Sequence, residues 1–309
     1  MRRDRCGVIL LYHRVAEPAT DPFDLAVSSR HFLEHLDVLE TLGRIQTLAE
    51  LIRDVGSRGR GQTVFALTFD DGYHDNLAAA KPILEERSAP ATVFVTSGFV
   101  GGQPFWWDEL VDLLLDATSP PGRIDLTLDG VSQSWDVATT PRRRVFDEVW
   151  ELLQGLDEAA RRDAVAALRT QLSEPTQAPG RSLTVAELTE LAQGDFVSIG
   201  AHTQTHPVLA RLSDDAVRAE VVGSKEWLED VLDEPVAAFS YPYGGLDHYG
   251  RNAVEIVREA GFTLACTAEP GRVTRGCDPL QLPRVTVKNW DGDVLEKTVV
   301  DLTRRRQRR

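Results

Sequence analysis

Short apolar runs that alternate with helical patterns constrain the fold of this 309-residue chain more than any other feature. The runs are rich in β-branched and aromatic residues, and they lack the strict alternation of a strand that faces water on one side. Parallel strands that are covered on both faces have this pattern. The seven candidate strands are residues 8–12, 63–69, 91–96, 196–199, 236–241, 262–267 and 282–287.

Amphipathic helical patterns separate these candidate strands. One begins at a Ser28-Ser29 cap, and others cover residues 76–87, 213–232 and 249–260, the last of which stops at Gly261. About seven β–α repeats predict an α/β fold, a distorted (β/α) barrel with about seven parallel strands. In such a barrel the chemistry lies where strands end and loops begin.

Residues 101–180 interrupt this repeat and contain no obvious core strand. The segment RIDLTLDGVSQSWDV predicts a hairpin that turns at Asp129-Gly130, and residues 141–172 form a charged helical pattern. We interpret 101–180 as a largely helical insertion within a single domain that covers residues 1–309.

Charge and cysteine content exclude several classes of protein. The net charge of −14, with no stripe of Lys and Arg, argues against a nucleic-acid-binding surface. Three irregularly spaced cysteines give neither a disulfide framework nor a zinc-ribbon motif.

The apolar run 8–11 is too short for a signal peptide, and no segment approaches the ~20 apolar residues of a membrane span. We therefore expect a cytoplasmic protein without an integral membrane segment; the sequence carries no signal for an oligomeric state.

Two polar motifs directly follow candidate strands. In TFDDG, Asp70 and Asp71 are weak evidence alone, because Asp-Gly after a strand is ordinary turn chemistry. In HTQTH, one helical turn would place His202 and His206 on the same side, which is a metal-ligand spacing. Because parallel barrel strands end on one face, two histidines and a carboxylate there predict an open three-ligand metal site.

Two further motifs end strands on the same face. In AFSYPYGG, Pro242 fixes the backbone, and glycines such as Gly244 let the loop approach a ligand closely. In LLYHRV, His13 follows the first strand, where it is either a core histidine or part of the site.

The motifs TFDDG, HTQTHP and YPYGG, in this order and at these intervals, resemble those of the polysaccharide deacetylase family, the NodB-homology enzymes related to carbohydrate esterase family 4. The motifs YHRV and LPRV (residues 282–285) resemble the branch of that family whose first strand carries a histidine. The resemblance covers most of the chain outside 101–180. It implies a distorted (β/α) barrel and a metal-dependent hydrolase that removes an N-acyl group, usually acetyl, from an amino sugar of a polysaccharide, glycolipid or glycoside intermediate.

The resemblance also implies roles for matched residues. Asp70 matches the catalytic base, and the metal ligands match Asp71, His202 and His206. The metal of the family is usually zinc, with cobalt or nickel as alternatives. The loop of Pro242, Tyr243 and Gly244 matches the part of the site where a backbone N–H, here that of Tyr243, stabilises the oxyanion.

The general acid departs from the family pattern. The family places a Leu-x-His motif near its C-terminal end, but no histidine follows His248 here. Leu11-Tyr12-His13 is itself Leu-x-His, and the first and last strands of a closed barrel are neighbours. We therefore expect His13 to be the general acid, with His248 as the alternative.

The arginine that supports the base is also displaced. The family has an Arg two positions before the Pro of its third motif, whereas this chain has Ser240. Arg284 of LPRV, or alternatively Arg14, could supply that charge, and an Arg beside Asp70 would lower the pKa of its carboxyl.

Two questions stay open at this point. Trp107 in PFWWDEL either anchors a helix or offers an aromatic face to a sugar ring. The chain is either the hydrolase or a non-catalytic glycan-binding descendant of the same fold. A two-histidine, one-carboxylate iron oxygenase has the same ligand types, but it leaves the second carboxylate unexplained.

Overall fold

The computed structural model describes residues 6–57, 61–116, 122–128, 130–172 and 180–304. In these residues the strands are β1 (Gly7–Tyr12), β2 (Arg14–Val15), β3 (Ala26–Val27), β4 (Gly43–Ile45), β5 (Thr63–Phe69), β6 (Ala91–Val95), β7 (Arg123–Leu128), β8 (Val131–Asp136), β9 (Val197–Ala201), β10 (Ala238–Ser240), β11 (Leu264–Pro270) and β12 (Leu282–Thr286). The α-helices are α1 (Ser29–Leu42), α2 (Leu48–Gly56), α3 (Lys81–Glu86), α4 (Trp106–Val111), α5 (Arg142–Gln154), α6 (Glu158–Gln171), α7 (Val185–Ala192), α8 (Asp214–Leu232), α9 (Leu246–Glu259) and α10 (Gly292–Arg304).

Seven parallel strands close a barrel in the order β1-β12-β11-β10-β9-β6-β5, and β5 pairs back to β1. The seven candidate strands and the predicted distorted (β/α) barrel are confirmed. The short strand β4 pairs with the first half of β5, whereas β6 pairs with its second half. Because a strand has only two edges, β4 and β6 share one of them.

Strand β1 shows why these segments read as continuous apolar runs. All six of its residues are buried, because one face points into the barrel and the other is covered by helices. Ile9 packs in a cluster with Phe94 and Leu282 of other barrel strands, together with residues of α2. Its neighbours Val8 and Leu10 belong instead to the larger core that includes the buried face of α1.

Local signals set the helix boundaries. The Ser28 side chain accepts a hydrogen bond from the His31 backbone and begins α1, and Ser213 caps α8 in the same way. The predicted helix 76–87 is a π-helical segment (Asn76–Ala80) that continues into α3. Helix α9 begins at Leu246, earlier than predicted, and Gly250 interrupts its backbone with a φ of 71°.

Among the helices described, none is long and apolar enough to cross a membrane. A cytoplasmic location stays a prediction.

The chain divides into two compact units. The first consists of residues 1–18, 23–101 and 183–309 and contains the barrel. The second consists of residues 19–22 and 102–182 and contains α4, α5, α6 and an antiparallel hairpin of β7 and β8. The hairpin is confirmed, although Asp129 of its predicted turn lies outside the described residues. That residues 101–180 are an insertion within a single domain stays a prediction.

Candidate active site

The candidate residues of the first unit gather where the barrel strands end. Asp70 and Asp71 follow β5, and His202 follows β9. Arg284 lies within β12, and Tyr243 follows β10 by three residues. Parallel strands that end on one face of a closed barrel bring these distant segments together.

Asp71, His202 and His206 form a buried cluster that fits a metal ion. Their ligand atoms all lie within 4.8 Å of one another. The Asp71 Oδ1 atom is 3.5 Å from Nε2 of each histidine and has no hydrogen-bond partner among the described residues. The His202 Nδ1–H donates to the Ser240 carbonyl oxygen at 2.7 Å, which leaves its Nε2 lone pair toward Asp71. One carboxylate and two imidazoles arranged in this way suit a divalent transition metal.

The histidine pair is brought together by a loop, so the helical turn expected from its spacing is wrong. Residues 202–206 form neither helix nor strand. Thr203 and His206 have φ values of 64° and 54°, which an α-helix does not contain. The Thr203 hydroxyl accepts a hydrogen bond from the His206 backbone at 3.1 Å and so closes the turn locally.

Positive φ values concentrate at this site. Of the seven non-glycine residues with positive φ in the described chain, four are Asp71, Thr203, His206 and Tyr243. Such conformations cost roughly 1–3 kcal/mol each and persist only where the surroundings impose them, typically at functional sites. The backbone strain therefore points to the same face as the side-chain cluster.

Asp70 is paired closely with Arg284 and lies farther from the metal-ligand candidate His202, whose Nε2 is 3.9 Å from Asp70 Oδ2. The guanidinium makes a two-pronged ion pair, with Nη1 to Oδ1 and Nη2 to Oδ2 both at 2.7 Å. Ser240 Oγ donates to Asp70 Oδ2 at 3.0 Å and accepts from Arg284 Nη2 at 2.9 Å. Burial alone would raise the pKa of Asp70, but the charge of Arg284, followed by that of His202, outweighs it and holds the pKa well below its usual range.

Arg284 is held rigidly in place. Its Nε donates to the Thr267 carbonyl at 2.7 Å, and Nη1 also donates to Thr68 Oγ1 at 3.2 Å. With the bonds to Asp70 and Ser240, each of its three nitrogens has a partner, which a guanidinium only 1% exposed requires. The other option from the sequence, Arg14, pairs with Asp75 at 2.9 Å and lies over the Tyr73 ring.

The remaining candidates of the first unit surround this centre. The Tyr243 ring packs against the His206 ring at 4.7 Å and against His248 at 5.5 Å. Gly244 has a φ of 66°, and a Cβ there would lie 2.3 Å from the Ala268 nitrogen, so the loop requires glycine at this position. Pro242 is buried.

His13 is half-buried directly after β1. Its carbonyl accepts a hydrogen bond from Asn76 Nδ2 at 2.9 Å. Burial raises the pKa of Asp71, but the imidazoles of His202, His206 and His13 outweigh it and lower that pKa. His13 therefore lies near the same centre as Asp71, while its role as general acid stays a prediction.

Trp107 belongs to the second unit. It is 5% exposed and stacks on Phe105 with ring centroids 4.8 Å apart. This packing accounts for one of its two interpretations, a helix anchor. Its use as an aromatic face for a sugar stays a prediction.

Two residues of the site could not be assigned from local sequence. Ser240 stood out only as the position where an arginine was expected, yet it contacts both Asp70 and Arg284. Glu220 of α8 bonds to the histidine loop, but a single acid on a helix surface has no distinguishing sequence signal.

Comparison with known proteins agrees with the fold and the motifs. The sequence model of the polysaccharide deacetylase family matches residues 57–117 and 148–265. The Bacillus subtilis (strain 168) protein named "Putative polysaccharide deacetylase YxkH" is 22% identical over 283 residues, which cover 90% of this chain and 70% of that protein. The chain belongs to the polysaccharide deacetylase family.

Solved structures show the same fold. The Streptococcus pyogenes deacetylase PplD, in complex with acetate, has a TM-score of 0.61 at 20% identity and covers 97% of this chain and 99% of its own. IcaB from Ammonifex degensii has a TM-score of 0.62 at 20% identity, with 98% and 99% covered.

Proposed function

We propose that this protein is a metal-dependent hydrolase that removes an N-acyl group, in particular N-acetyl, from an amino sugar in a polysaccharide, glycolipid or glycoside intermediate. The observation that carries the proposal is the pairing of a three-ligand cluster with an adjacent, separately held carboxylate, Asp70. The family supports it, as does the similar fold of a deacetylase that holds acetate.

Asp71, His202 and His206 would hold the cation, with zinc the ion that best suits this ligand set and cobalt or nickel as alternatives. When bound, a divalent cation acidifies a water and polarises the acyl carbonyl. The His202 Nδ1–H bond to Ser240 fixes the tautomer that such binding needs.

Asp70 would act as the general base. Its carboxylate takes a proton from water as the water oxygen attacks the acyl carbon. Arg284 and Ser240 hold both oxygens by hydrogen bonds, so the carboxylate is ionised and oriented before substrate arrives. General-base assistance of this kind is worth roughly 10²–10⁴-fold in rate.

The departing amine requires a proton, because an amide anion is a poor leaving group. His13 would donate it to the sugar nitrogen as the C–N bond breaks, which releases a carboxylic acid and a free amino sugar. The backbone N–H of Tyr243, presented by the loop of Pro242 and Gly244, would stabilise negative charge on the carbonyl oxygen.

The test compares wild type with Asp70→Asn by measuring bound metal and acetate released from oligomers of N-acetylated amino sugars. We expect the variant to bind the same amount of metal and to lose about 10²–10⁴-fold in kcat/KM. Asp230→Asn, an equal charge change on exposed α8 surface, should match wild type. Equal activity of Asp70→Asn and wild type would show that Asp70 is not the base. A metal-loaded wild type that binds these sugars without releasing acetate would instead indicate a glycan-binding protein.

A further inference from the structure

We propose that Glu220 is a positioning residue for the candidate metal centre, which it serves by holding the loop that carries both histidine ligands. The inference rests on the proposed function, since it assigns that loop to metal binding. Glu220 lies in the second turn of α8, and none of its three hydrogen bonds to the loop reaches a ligand side chain.

The carboxylate of Glu220 binds the part of the loop between the two histidines. Its Oε2 accepts hydrogen bonds from the backbone N–H of Gln204 at 2.8 Å and of Thr205 at 2.9 Å. Its Oε1 accepts from the Thr205 hydroxyl at 2.7 Å. These bonds are short and charge-assisted, which makes them roughly twice as strong as neutral ones.

The loop needs such an external acceptor. The His202 N–H still donates to the Val95 carbonyl of β6, and the His206 N–H donates to the Thr203 hydroxyl. The Gln204 and Thr205 N–H groups between them have Glu220 as their acceptor, and a part-buried N–H without an acceptor is costly. Thr203 and His206 also adopt positive φ, which persists only where neighbouring contacts impose it. Glu220 supplies contacts at the two residues that separate these strained positions.

Close packing holds the loop on two sides. The Gln204 carbonyl accepts from the Gly98 backbone at 2.9 Å, and the Gln204 side chain donates to the Ala219 carbonyl at 2.7 Å. A Cβ on Gly98 would lie 2.5 Å from the backbone oxygen of Gln204. A Cβ on Gly223 would lie 2.4 Å from the side-chain Nε2 of Gln204. The two glycines thus leave the space that Gln204 occupies, and Glu220 fixes the loop within it.

The consequence is that Glu220 orders the loop, whereas His202 and His206 bind the metal. Without the Glu220 carboxylate, the Gln204 and Thr205 amides lose their acceptor and the two imidazoles are no longer held at their spacing from Asp71. Metal affinity should fall, because the ligands must then be ordered on binding. Loss of partners that orient ligands typically weakens metal binding by about 10–100-fold.

The experiment measures zinc dissociation constants of chelator-stripped protein by competition with a chromophoric chelator. Variants are Glu220→Ala, Glu220→Gln and, as a control on the exposed surface of the same helix, Glu226→Ala. We expect Glu220→Ala to bind zinc about 10–100-fold more weakly, Glu220→Gln to lie between it and wild type, and Glu226→Ala to be unchanged. Cobalt absorption spectra should change for Glu220→Ala and not for the control.

The outcomes separate this inference from the proposed function. If Glu220→Ala lowers the melting temperature of the metal-free protein but binds zinc like wild type, Glu220 is merely structural and the inference is wrong. If Glu220→Ala does not fold, the near-isosteric Glu220→Gln decides the matter, and wild-type affinity there also rejects it. A wild type that binds neither zinc nor cobalt would overturn the proposed function itself, and this inference with it.

Discussion

The ion pair between Arg284 and Asp70 allows a quantitative prediction. Replacing Arg284 by Met keeps much of the side-chain volume but removes the charge opposite a carboxylate that is 3% exposed. Removing one partner of a buried ion pair costs about 3–5 kcal/mol, because the other charge stays buried without compensation. We therefore expect Arg284→Met to lower the free energy of unfolding by that amount.

A double-mutant cycle isolates the pair. If the cost arises from the uncompensated Asp70 charge, Asp70→Asn should relieve part of it in the Arg284→Met background. Groups in direct contact typically couple by about 0.5–3 kcal/mol. The double variant should therefore be less destabilised than the sum of the two single variants by an amount in that range.

Urea unfolding in the presence of a chelator, followed by circular dichroism and by tryptophan fluorescence, measures all four proteins. Arg218→Met is the control, because its pair with Glu259 is about half exposed and should contribute only about 0–1 kcal/mol. If Arg284→Met costs no more than this control, or if the two site substitutions are additive, the account of Arg284 as the partner of the base is refuted.

Two further predictions concern histidines. His13→Gln should lower the rate of deacetylation about 10²–10⁴-fold. The same variant should hardly affect hydrolysis of an aryl acetate ester, because that leaving group needs no proton. His248→Gln should leave both rates unchanged, and the reverse pattern would assign the general acid to His248. Burial lowers the pKa of His35 below its ordinary value, although the hydrogen bond of its ring to the Trp290 carbonyl opposes this. Folded protein thus keeps a neutral imidazole, so stability is complete above about pH 6.5 and falls as the pH drops below it, when the unfolded chain takes up the proton first. In His35→Gln, melting curves between pH 7 and 5 should show a shallower decline; parallel declines would contradict this.

The barrel could be predicted because its physics is local and repetitive. Strands covered on both faces are mostly apolar, and each of the seven contains a short apolar run. Strand β4, with three residues, is too short to show any period. The structure also begins α9 at Leu246, three residues before the predicted start at Tyr249.

The candidate site was predictable in its composition but not in its geometry. Asp70, Asp71 and the histidine pair follow strands and so could be placed on one face in advance. The loop conformation of 202–206 could not, because it depends on positive φ at Thr203 and on acceptors from α8. Spacing alone suggested a helical turn that the structure does not contain.

The choice between Arg284 and Arg14 also required the structure. The sequence favoured Arg284 of the last strand and kept Arg14, which follows the first strand, as the alternative. Pairing of β12 with β1 and β11 places Arg284 against Asp70, whereas Asp75 takes up Arg14. Such pairings are decided by side-chain direction in three dimensions, which no local pattern specifies.

A crystal structure of the zinc-loaded protein, with anomalous data collected at the zinc edge, tests the central claim most directly. We expect one strong peak within about 2.0–2.2 Å of the Nε2 atoms of His202 and His206 and of an Asp71 carboxylate oxygen, with Asp70 still bonded to Arg284. A peak bound by Asp70 in place of Asp71, or no peak among these three residues, would contradict the division of roles between the two aspartates.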